Sequence, residues 1–238
     1  MLGLLGTMQK EIELFVSHAD IGRTASYAGT DFYQGTLDGA DIVIGRCGVG
    51  KVNAAATTQI MIDRFNVDSI ILGGLAGSMV PYLQQGDLVL ANHLAQYDVD
   101  LTVFDHCPGE LRAMGRLIET DPAMLKAMTE AYDVVYGERP DRPQMVVGTI
   151  ISGDRLIADK KAIARLQREF GAVAAEMEGA AVAQVCQLNT VPFLVVRTIS
   201  DDASADAQSQ FVLSLEAAPI CAFTLIRQFL SAGRLQPV

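Results

Sequence analysis

The sequence predicts an α/β fold in which helices cover both faces of a mainly parallel sheet. Short apolar runs alternate with amphipathic stretches of about 10 to 15 residues, which is typical of β-α-β units. The pair Asp38-Gly39 lies between two further apolar runs and indicates a β-hairpin, so the sheet is expected to be mixed. The 238 residues, 50% of them hydrophobic, can form a substantial core, and we expect residues 1–238 to form a single domain.

Strands are expected where aliphatic and β-branched residues cluster between turn-forming residues. The runs that meet this description are Leu2 to Leu5, Ile42 to Ile44, Ser69 to Leu72, Asp87 to Ala91, Met145 to Ile151, Val173 to Glu176 and Phe193 to Ile199. The hairpin adds Phe32 to Leu37 and Asp41 to Ile44, on either side of its Asp-Gly turn. Helical segments separate several of these strands, as parallel pairing requires.

Helices are expected where apolar residues recur at helical spacing. They include the segment around Glu11 after the first strand, Lys51 to Phe65, Asp159 to Phe170, Glu178 to Leu188 and Gln210 to Leu230. Pro219 lies inside the last segment, so we expect a kink or an interruption there. The stretch from His106 to Gln144 looks irregular apart from a helix near Pro122 to Tyr132, and long loops of this kind often cover a site.

Composition disfavours several classes of function. The 28 acidic residues outnumber the 18 Lys and Arg residues, and a net charge of −10 argues against general nucleic-acid binding. The four cysteines form no CxxC pair and have no histidine at metal-ligand spacing, so we expect no zinc site, no disulfide framework and reduced thiols in the cytoplasm. The sequence has neither an apolar run of about 18 residues nor the features of a signal peptide, so we expect no membrane span.

A glycine-rich segment, Gly45 to Val52, follows a predicted strand and opens a predicted helix. It matches the GxxxxGK pattern of a phosphate-binding loop, but Val52 stands where such a loop needs a Ser or Thr hydroxyl for Mg²⁺. A nucleotide-hydrolysing loop is therefore disfavoured. Two interpretations stay open: the backbone N–H groups approach an anionic or polyhydroxyl ligand, or the glycines only form a tight turn.

A second glycine-rich segment, Gly73 to Ser78, is expected to be a loop after the strand Ser69 to Leu72. Open α/β sheets bind ligands at the carboxyl ends of their parallel strands, which makes this loop a candidate binding site. Its spacing is not that of a dinucleotide-binding motif, and a packing turn is an equally good interpretation.

Two carboxylates flank a methionine where a predicted strand gives way to a helix. The alternation of a strand puts Glu176 and Glu178 on one face and Met177 on the other. Carboxylates at such a turn could accept hydrogen bonds from sugar hydroxyls, and a methionine could lie against a sugar face. The alternative is that these acids only provide negative charge at the N-terminus of the following helix.

Two further carboxyl groups lie at strand ends. Asp201 follows the apolar strand that ends near Ile199, and a buried carboxyl group there could carry a proton and act as a general acid. Glu11 lies in the first turn of the helix after the first strand. Asp201 could equally be a helix cap, and Glu13 is interpreted as ordinary surface charge.

The order of these motifs resembles that of the nucleoside phosphorylases and hydrolases. The segments that carry the resemblance are GTMQKE near the start, GVGKVNAA, GGLAGS followed by GDLVLA, ISGD, EMEGAAVAQVC and VPFLVVRTISDDA. The resemblance covers Leu2 to about Leu230 and is strongest to the 5′-methylthioadenosine/S-adenosylhomocysteine nucleosidases. It implies a nucleoside phosphorylase-like fold, a three-layer α/β/α sandwich around a mixed, partly barrel-like sheet, and usually a homodimer.

The resemblance also implies hydrolysis. Phosphorylases of the superfamily hold phosphate with a Gly-Asp-Pro segment and an arginine near the N-terminus, whereas this chain has Glu11 in a segment that resembles the nucleosidase pattern. By this resemblance, Glu11 would activate water and Asp201 would protonate the purine at N7. Glu178 would hold the ribose hydroxyls, and Met177 would pack near the sugar ring. The division of labour is similar to that of inverting glycosidases, and neither a metal nor an organic cofactor is implied.

Further residues fall where the family lines its nucleoside pocket. These are Val49, Ala76, Gly77, Leu156, Ile157, Glu176 and Phe211. The backbone of Ile157 would contact the edge of adenine. Phe104 matches a segment that the partner subunit contributes in family dimers, so a homodimer would complete each site.

The chain departs from the family pattern near the base pocket. Leu75 replaces a small hydroxyl residue, Gly73-Gly74 replaces the more usual Thr-Gly, and Arg155 stands where a small or apolar residue is commoner. These differences favour one alternative, a hydrolase of futalosine or aminofutalosine. A phosphate-dependent purine nucleoside phosphorylase and a non-catalytic nucleoside-binding protein on the same fold also stay open.

Overall fold

The computed structural model of the chain describes residues 1–112, 114–201 and 218–233. Its strands are β1 (Leu2–Gly6), β2 (Asp20–Tyr27), β3 (Thr30–Leu37), β4 (Ala40–Arg46), β5 (Ser69–Ser78), β6 (Leu88–Gln96), β7 (Ile118–Glu119), β8 (Met145–Ser152), β9 (Ala172–Glu176) and β10 (Phe193–Asp201). Its helices are α1 (Gln9–His18), α2 (Lys51–Phe65), α3 (Pro122–Tyr136), α4 (Lys160–Phe170), α5 (Gly179–Asn189) and α6 (Ala218–Ser231), with a 3₁₀ turn at Thr102–Phe104.

Within these ranges the strands form one mixed sheet in the order β10-β6-β8-β9-β5-β1-β4-β3-β2, with β7 beside β6. β10 also pairs with β5, which closes a five-stranded barrel at one end of the sheet. The barrel pairs β5–β10, β6–β8 and β8–β9 are parallel, whereas β6–β10 and β5–β9 are antiparallel. The predicted mixed, partly barrel-like sheet is therefore confirmed.

Helices lie on both sides of the sheet and complete the three layers. Helices α2 and α5 pack against each other over one hydrophobic cluster, in which Met61 and Phe65 of α2 are buried. Helices α1, α3 and α6 cover the opposite side, where Ile12 and Phe229 are buried in a second cluster. The predicted nucleoside phosphorylase-like α/β/α architecture is thus confirmed.

The local signals in the sequence explain where several elements begin and end. Asp38 and Gly39 both have positive φ, at 50° and 83°, as a two-residue turn between twisted strands requires. Helix α2 spans the predicted Lys51 to Phe65 and ends at Asn66 in the left-handed conformation. The predicted hairpin turn and the predicted bounds of α2 are confirmed, whereas the hairpin strands extend beyond the predicted Phe32 to Leu37 and Asp41 to Ile44 to Thr30–Leu37 and Ala40–Arg46.

The structure corrects the interpretation of Gly73 to Ser78 as a loop. These residues continue β5 and pair in parallel with β10, from Gly73 opposite Val196 to Gly77 opposite Asp201. Strand pairing satisfies the backbone hydrogen bonds of the segment. The glycines therefore form no turn here, and their lack of a side chain lets neighbouring side chains approach the strand closely. Strand β2, which is largely exposed and polar, was not predicted because it lacks an apolar run.

The C-terminal helix is described only from Ala218, and Pro219 is its second described residue. The interruption predicted at Pro219 therefore falls at the edge of the described residues. Between His106 and Gln144, regular structure consists of β7 and α3, and the Asp121 side chain caps α3 by accepting the backbone N–H of Met124 over 2.8 Å. No helix in the described parts of the chain is both long and apolar enough to span a bilayer.

Candidate active site

A cavity of about 280 Å³ opens where β1, β4, β5, β8, β9 and β10 end. The sequence-predicted residues that line it are Glu11, Val49, Ala76, Gly77, Leu156, Glu176, Met177, Glu178 and Asp201. The barrel and its neighbouring strands thus bring residues from both ends of the chain to one place. The expectation that ligand-binding residues gather at the carboxyl ends of parallel strands agrees with this geometry.

Glu11 is held in the cavity wall by three backbone N–H groups. It is the third residue of α1, and its Oε2 accepts the N–H groups of Thr7 and Met8 over 2.6 and 2.9 Å. Its Oε1 accepts the N–H of Leu75 from β5 over 3.1 Å. Burial raises the pKa of Glu11 above its ordinary value of 4.5, although the Arg197 guanidinium and these N–H groups act in the opposite direction.

Arg197 is the counterion beneath the carboxylates. It lies on β10 with no exposed surface, and its Nη2 donates to Glu176 Oε2 and lies 3.5 Å from Glu178 Oε2. The charge of Glu11 also acts on it. A buried cation requires negative partners, so this arginine draws the acidic residues of β9, α1 and the start of α5 together.

Glu176 directs its carboxylate into the protein. Its Oε1 accepts the hydroxyl of Ser152, its Oε2 accepts Arg197, and the backbone N–H groups of Glu178 and Gly179 donate to the same carboxylate. Both oxygens are therefore engaged by protein donors. Glu176 fixes the turn between β9 and α5, and this turn sets the position of Glu178.

Glu178 faces the cavity with one oxygen on the glycine-rich loop. Its Oε1 accepts the backbone N–H of Gly50 over 2.8 Å. Burial, followed by the negative charge of Glu176, raises the pKa of Glu178 from 4.5 to about 7, against the opposing effects of Arg197 and Gly50. Both glutamates contact Arg197, as side chains on one face would. Met177 lines the same cavity beside them and is not set apart on the other face, because β9 ends at Glu176 and the strand alternation does not continue through the turn.

The contacts around Gly74 explain why β5 has a glycine at this position. A side chain at this position would overlap Arg197 Nη1 and would lie 2.9 Å from Glu11 Oε1. The absence of a Cβ therefore gives the arginine and the glutamate their space. Leu75 faces the cavity, so its side chain replaces the expected hydroxyl with an apolar surface.

Asp201 ends β10, lines the cavity and is 6% exposed. Its Oδ2 lies 2.6 Å from Ser200 Oγ, which is also 3.2 Å from the backbone oxygen of Ala76. A largely buried carboxyl group with a hydroxyl beside it suits proton transfer to a bound base. Ser200 thus supplies a hydrogen-bonding hydroxyl near Asp201 although position 75 lacks one.

Two N–H groups at the end of the glycine-rich loop before α2 donate to carboxylates of the chain. The N–H of Gly50 is taken by Glu178, and the N–H of Lys51 donates to Asp154 Oδ1 over 2.8 Å. Lys51 Nζ turns to Gln96 and Asp98. Carboxylates of the chain therefore occupy two of the N–H groups that the GxxxxGK pattern would offer to an anionic ligand.

Two of the predicted pocket residues, Ile157 and Phe104, are not among the residues that line the cavity. Ile157 is buried next to Leu156 with its side chain in a separate apolar cluster that includes Phe170. Phe104 is 70% exposed in the 3₁₀ turn and does not line the cavity of its own chain. Phe211 lies outside the described residues.

The sequence interpretation assigned no role to some residues of the site. Thr7, Met8, Ala175 and Ser200 also line the cavity, and Arg197 lies behind it. A signal for Arg197 was present, because an arginine inside the apolar strand Phe193–Asp201 requires buried carboxylates as partners.

The chain is similar to known proteins over most of its length. The family model described as the phosphorylase superfamily matches residues 1–231. A 5′-methylthioadenosine/S-adenosylhomocysteine nucleosidase of Tolumonas auensis is 36% identical over 218 residues, which is 91% of this chain and 93% of that protein.

Solved structures of the same superfamily superpose closely on the chain. The 5′-methylthioadenosine/S-adenosylhomocysteine nucleosidase of Neisseria meningitidis in complex with methylthio-immucillin-A has a TM-score of 0.92 at 30% identity and covers 97% of this chain and 98% of that one. The futalosine hydrolase of Helicobacter pylori strain 26695 has a TM-score of 0.91 at 33% identity, with 97% of each chain covered. The chain belongs to the phosphorylase superfamily and, within it, to the 5′-methylthioadenosine/S-adenosylhomocysteine nucleosidase family.

Proposed function

We propose that the protein hydrolyses the N-glycosidic bond of 5′-methylthioadenosine and S-adenosylhomocysteine, releasing adenine and the thio-ribose product. Membership of the nucleosidase family supports this N-ribosyl hydrolase activity. The observation that carries the mechanism is the buried carboxylate of Glu11, fixed by three backbone N–H groups at the wall of the cavity.

Glu11 is the general base in this proposal. Its carboxylate takes a proton from the water molecule that attacks the anomeric carbon. Burial strengthens it as a base by raising its pKa, and the backbone donors fix its orientation before substrate binds. The positive charge of Arg197 offsets the mutual repulsion of the carboxylates of Glu11, Glu176 and Glu178.

Asp201 is the general acid. It protonates N7 of the purine, so that adenine leaves as a neutral molecule while the glycosidic bond breaks. Ser200, with its hydroxyl 2.6 Å from the carboxyl group, helps to orient it. The backbone of Ile157 is proposed to contact the adenine edge, next to the cavity-lining Leu156.

Glu178 and Met177 bind the ribosyl group. Glu178 accepts hydrogen bonds from the ribose hydroxyls, and its negative charge stabilises the oxocarbenium-like transition state. Met177 packs against the sugar, and Ala76 and Gly77 form the wall beneath the base. We assign Glu176 to positioning, because protein donors engage both of its oxygens.

Hydrolysis is favoured over phosphorolysis because of charge. Phosphate at the position of the attacking water would face Glu11 and Glu178, and the N–H groups of Gly50 and Lys51 already donate to carboxylates. The test is to incubate methylthioadenosine with the protein, with and without phosphate, and to measure free adenine and the sugar product. We expect adenine and the free thio-ribose at equal rates in both. Strict phosphate dependence would make the protein a phosphorylase, and an absence of turnover would favour a nucleoside-binding protein.

Futalosine or aminofutalosine is a second candidate substrate. The close superposition with a futalosine hydrolase supports it, and Val49 and Leu156, which are 53% and 65% exposed, leave room for a larger 5′ substituent. A substrate panel distinguishes the candidates, because inert methylthioadenosine beside rapid release of base from futalosine would reverse the assignment.

We further propose a homodimer in the cytoplasm. Val103 and Phe104 are 81% and 70% exposed, as expected of a segment that enters the partner's site. Each of the four cysteines, all within the described ranges, is a free thiol, which fits a reducing compartment. Light scattering is expected to give the mass of two chains, and Phe104→Asp is expected to weaken the dimer and substrate binding together.

A further inference from the structure

Lys51, Asp98 and Asp154 form a closed ring of contacts beside the mouth of the cavity. Lys51 Nζ lies 2.5 Å from Asp98 Oδ1, and Asp98 Oδ2 accepts the backbone N–H of Asp154 over 3.0 Å. Asp154 Oδ1 accepts the backbone N–H of Lys51 over 2.8 Å. Each residue therefore contacts both others, and Gln96 Oε1 is a further acceptor for Lys51 Nζ at 3.0 Å.

The ring joins three segments that are distant in sequence. Lys51 lies two residues after Val49, where the glycine-rich loop meets α2. Asp154 lies two residues before Leu156, on the segment after β8. Asp98 follows β6 and leads to the exposed 3₁₀ turn. Val49 and Leu156 line the cavity, whereas the three ring residues do not. The ring therefore acts on the cavity through the segments that it connects.

Lys51 is the cation that makes this arrangement possible. The side chains of Lys51 and Asp98 are only 16% and 29% exposed, so their ion pair is partly shielded from water and from salt. Without the ammonium group, Asp98 would lose its cation while its carboxylate stayed next to the segment that carries Asp154. Repulsion would then separate the segments.

The position of the loop also affects Glu178. Gly50, directly before Lys51, donates its N–H to Glu178 Oε1 and has a φ of 96°. A Cβ at Gly50 would lie 3.2 Å from Asp154 Oδ1, which shows how closely the loop and the segment after β8 approach. A shift of Lys51 would therefore move both the apolar wall at Val49 and the donor to Glu178.

We infer that Lys51 is a positioning residue for nucleoside binding. It closes a ring with Asp98 and Asp154, and this ring holds the two apolar walls of the pocket, at Val49 and Leu156, at the distance that binding requires. This inference rests on the proposed nucleosidase activity. Glu11 and Asp201 lie on α1 and β10, outside the ring, so binding should depend on the ring more than the chemical step does.

The first test is the variant Lys51→Met, which keeps the length of the side chain and removes its charge. We expect KM for methylthioadenosine to rise about ten-fold or more while kcat changes less than about three-fold. Lys51→Arg restores a cation that can bind Asp98 and should bring KM back to within about three-fold of the wild type. A loss confined to kcat, or a failure of Lys51→Arg to restore KM, would refute the positioning role.

A double-mutant cycle tests whether the ring acts as a unit. Asp98→Asn should raise KM as Lys51→Met does, and the double variant should be little worse than either single variant because the ring is already open. Additive effects on kcat/KM would contradict the ring. If Lys51→Met does not fold, the Lys51→Arg and Asp98→Asn variants still decide the question.

The matched control is Arg165→Met, which breaks an exposed ion pair with Glu169 on α4. It should leave KM unchanged, and thermal unfolding of all variants reports loss of the fold. Binding of methylthioadenosine is measured by calorimetry with and without Lys51→Met in a Glu11→Gln background. A wild type without turnover overturns the proposed function alone, whereas equal affinities in this pair overturn the ring alone.

Discussion

The backbone N–H of Leu75 donates to Glu11 Oε1 over 3.1 Å and ties the first turn of α1 to β5, 64 residues further along the chain. With the N–H groups of Thr7 and Met8 on Oε2, both carboxylate oxygens have fixed donors. The orientation of the proposed base is therefore set by backbone rather than by mobile side chains. This preorganisation makes Glu11 the first residue to test.

Glu11→Gln is expected to lower kcat about 10³-fold, because an amide cannot take the proton of the attacking water. Binding of methylthioadenosine should change far less than kcat, since the amide keeps the shape of the side chain and its oxygen can still accept the N–H groups of Thr7 and Met8, while the bond from Leu75 is lost. Adenine release gives kcat, and calorimetry with the inactive variant gives the affinity. Glu13→Gln, on the same helix but exposed, is the control. A Glu11→Gln variant with near-normal kcat would remove this residue from the mechanism.

Asp201→Asn is expected to slow the release of adenine about 10²- to 10⁴-fold, because an asparagine cannot protonate N7. A riboside whose leaving group needs no proton, such as 4-nitrophenyl riboside, should be affected far less. Comparing both substrates by absorbance separates the general acid from the general base, since Glu11→Gln should slow both. Equal losses on the two substrates with Asp201→Asn would argue against the acid role.

Glu178→Gln is expected to stabilise the ligand-free protein at high pH while impairing sugar binding. The folded-state pKa of about 7 lies above the ordinary 4.5, so the folded protein binds the proton more tightly than the unfolded chain does. The contribution of Glu178 to stability is thus present below pH 4.5 and is lost as the pH rises through about 7. The Tm of the variant should exceed that of the wild type at about pH 8, and the difference should be much smaller at about pH 5. A Tm difference that is independent of pH would contradict this assignment.

Arg197→Met is expected to lower the free energy of unfolding by about 3–5 kcal/mol, because it leaves the buried carboxylates without their counterion. Urea denaturation measures the loss. Adding Glu176→Gln to this variant should recover part of the stability, since it removes one of the uncompensated charges. If the second substitution makes the protein still less stable, the carboxylate cluster does not depend on Arg197 for its charge balance.

Gly74→Ala and Gly73→Ala form a matched pair on β5. A Cβ at Gly74 would overlap Arg197 and crowd Glu11, so we expect a loss of about 1–3 kcal/mol together with a fall in kcat. A Cβ at Gly73 would meet only Ile226 Cδ1 at 3.3 Å, and its effect should stay within about 1 kcal/mol. Thermal unfolding and adenine release check both variants, and similar effects at the two positions would contradict the packing argument.

Much of the fold could be predicted from local patterns. The Asp38-Gly39 turn and the bounds of α2 follow from the conformational preferences of a few neighbouring residues, and the structure confirms both. The strand nature of Gly73 to Ser78 could not be predicted in this way. Glycines disfavour strands by themselves, and only pairing with β10 and the close approach of Arg197 explain them here.

The residues of the candidate site also differ in whether local sequence patterns could predict them. Glu178 and Asp201 stand at strand ends, where single-sequence reasoning looks for chemistry, and both line the cavity. Arg197 was missed because its partners are distant in sequence and its strand otherwise reads as apolar core. Ser200, beside Asp201, was missed for a different reason, since a serine in a strand has no distinctive spacing.

The carboxylate of Glu11 has a second duty, since it accepts the N–H of Met8, the residue that caps α1. One side chain therefore both closes the first helical turn and, in the proposed mechanism, serves as the base. Fraying of that single turn, which costs far less than global unfolding, would withdraw the base from the cavity. On heating, activity should therefore be lost at a lower temperature than that at which the barrel unfolds, because activity depends on one turn of helix.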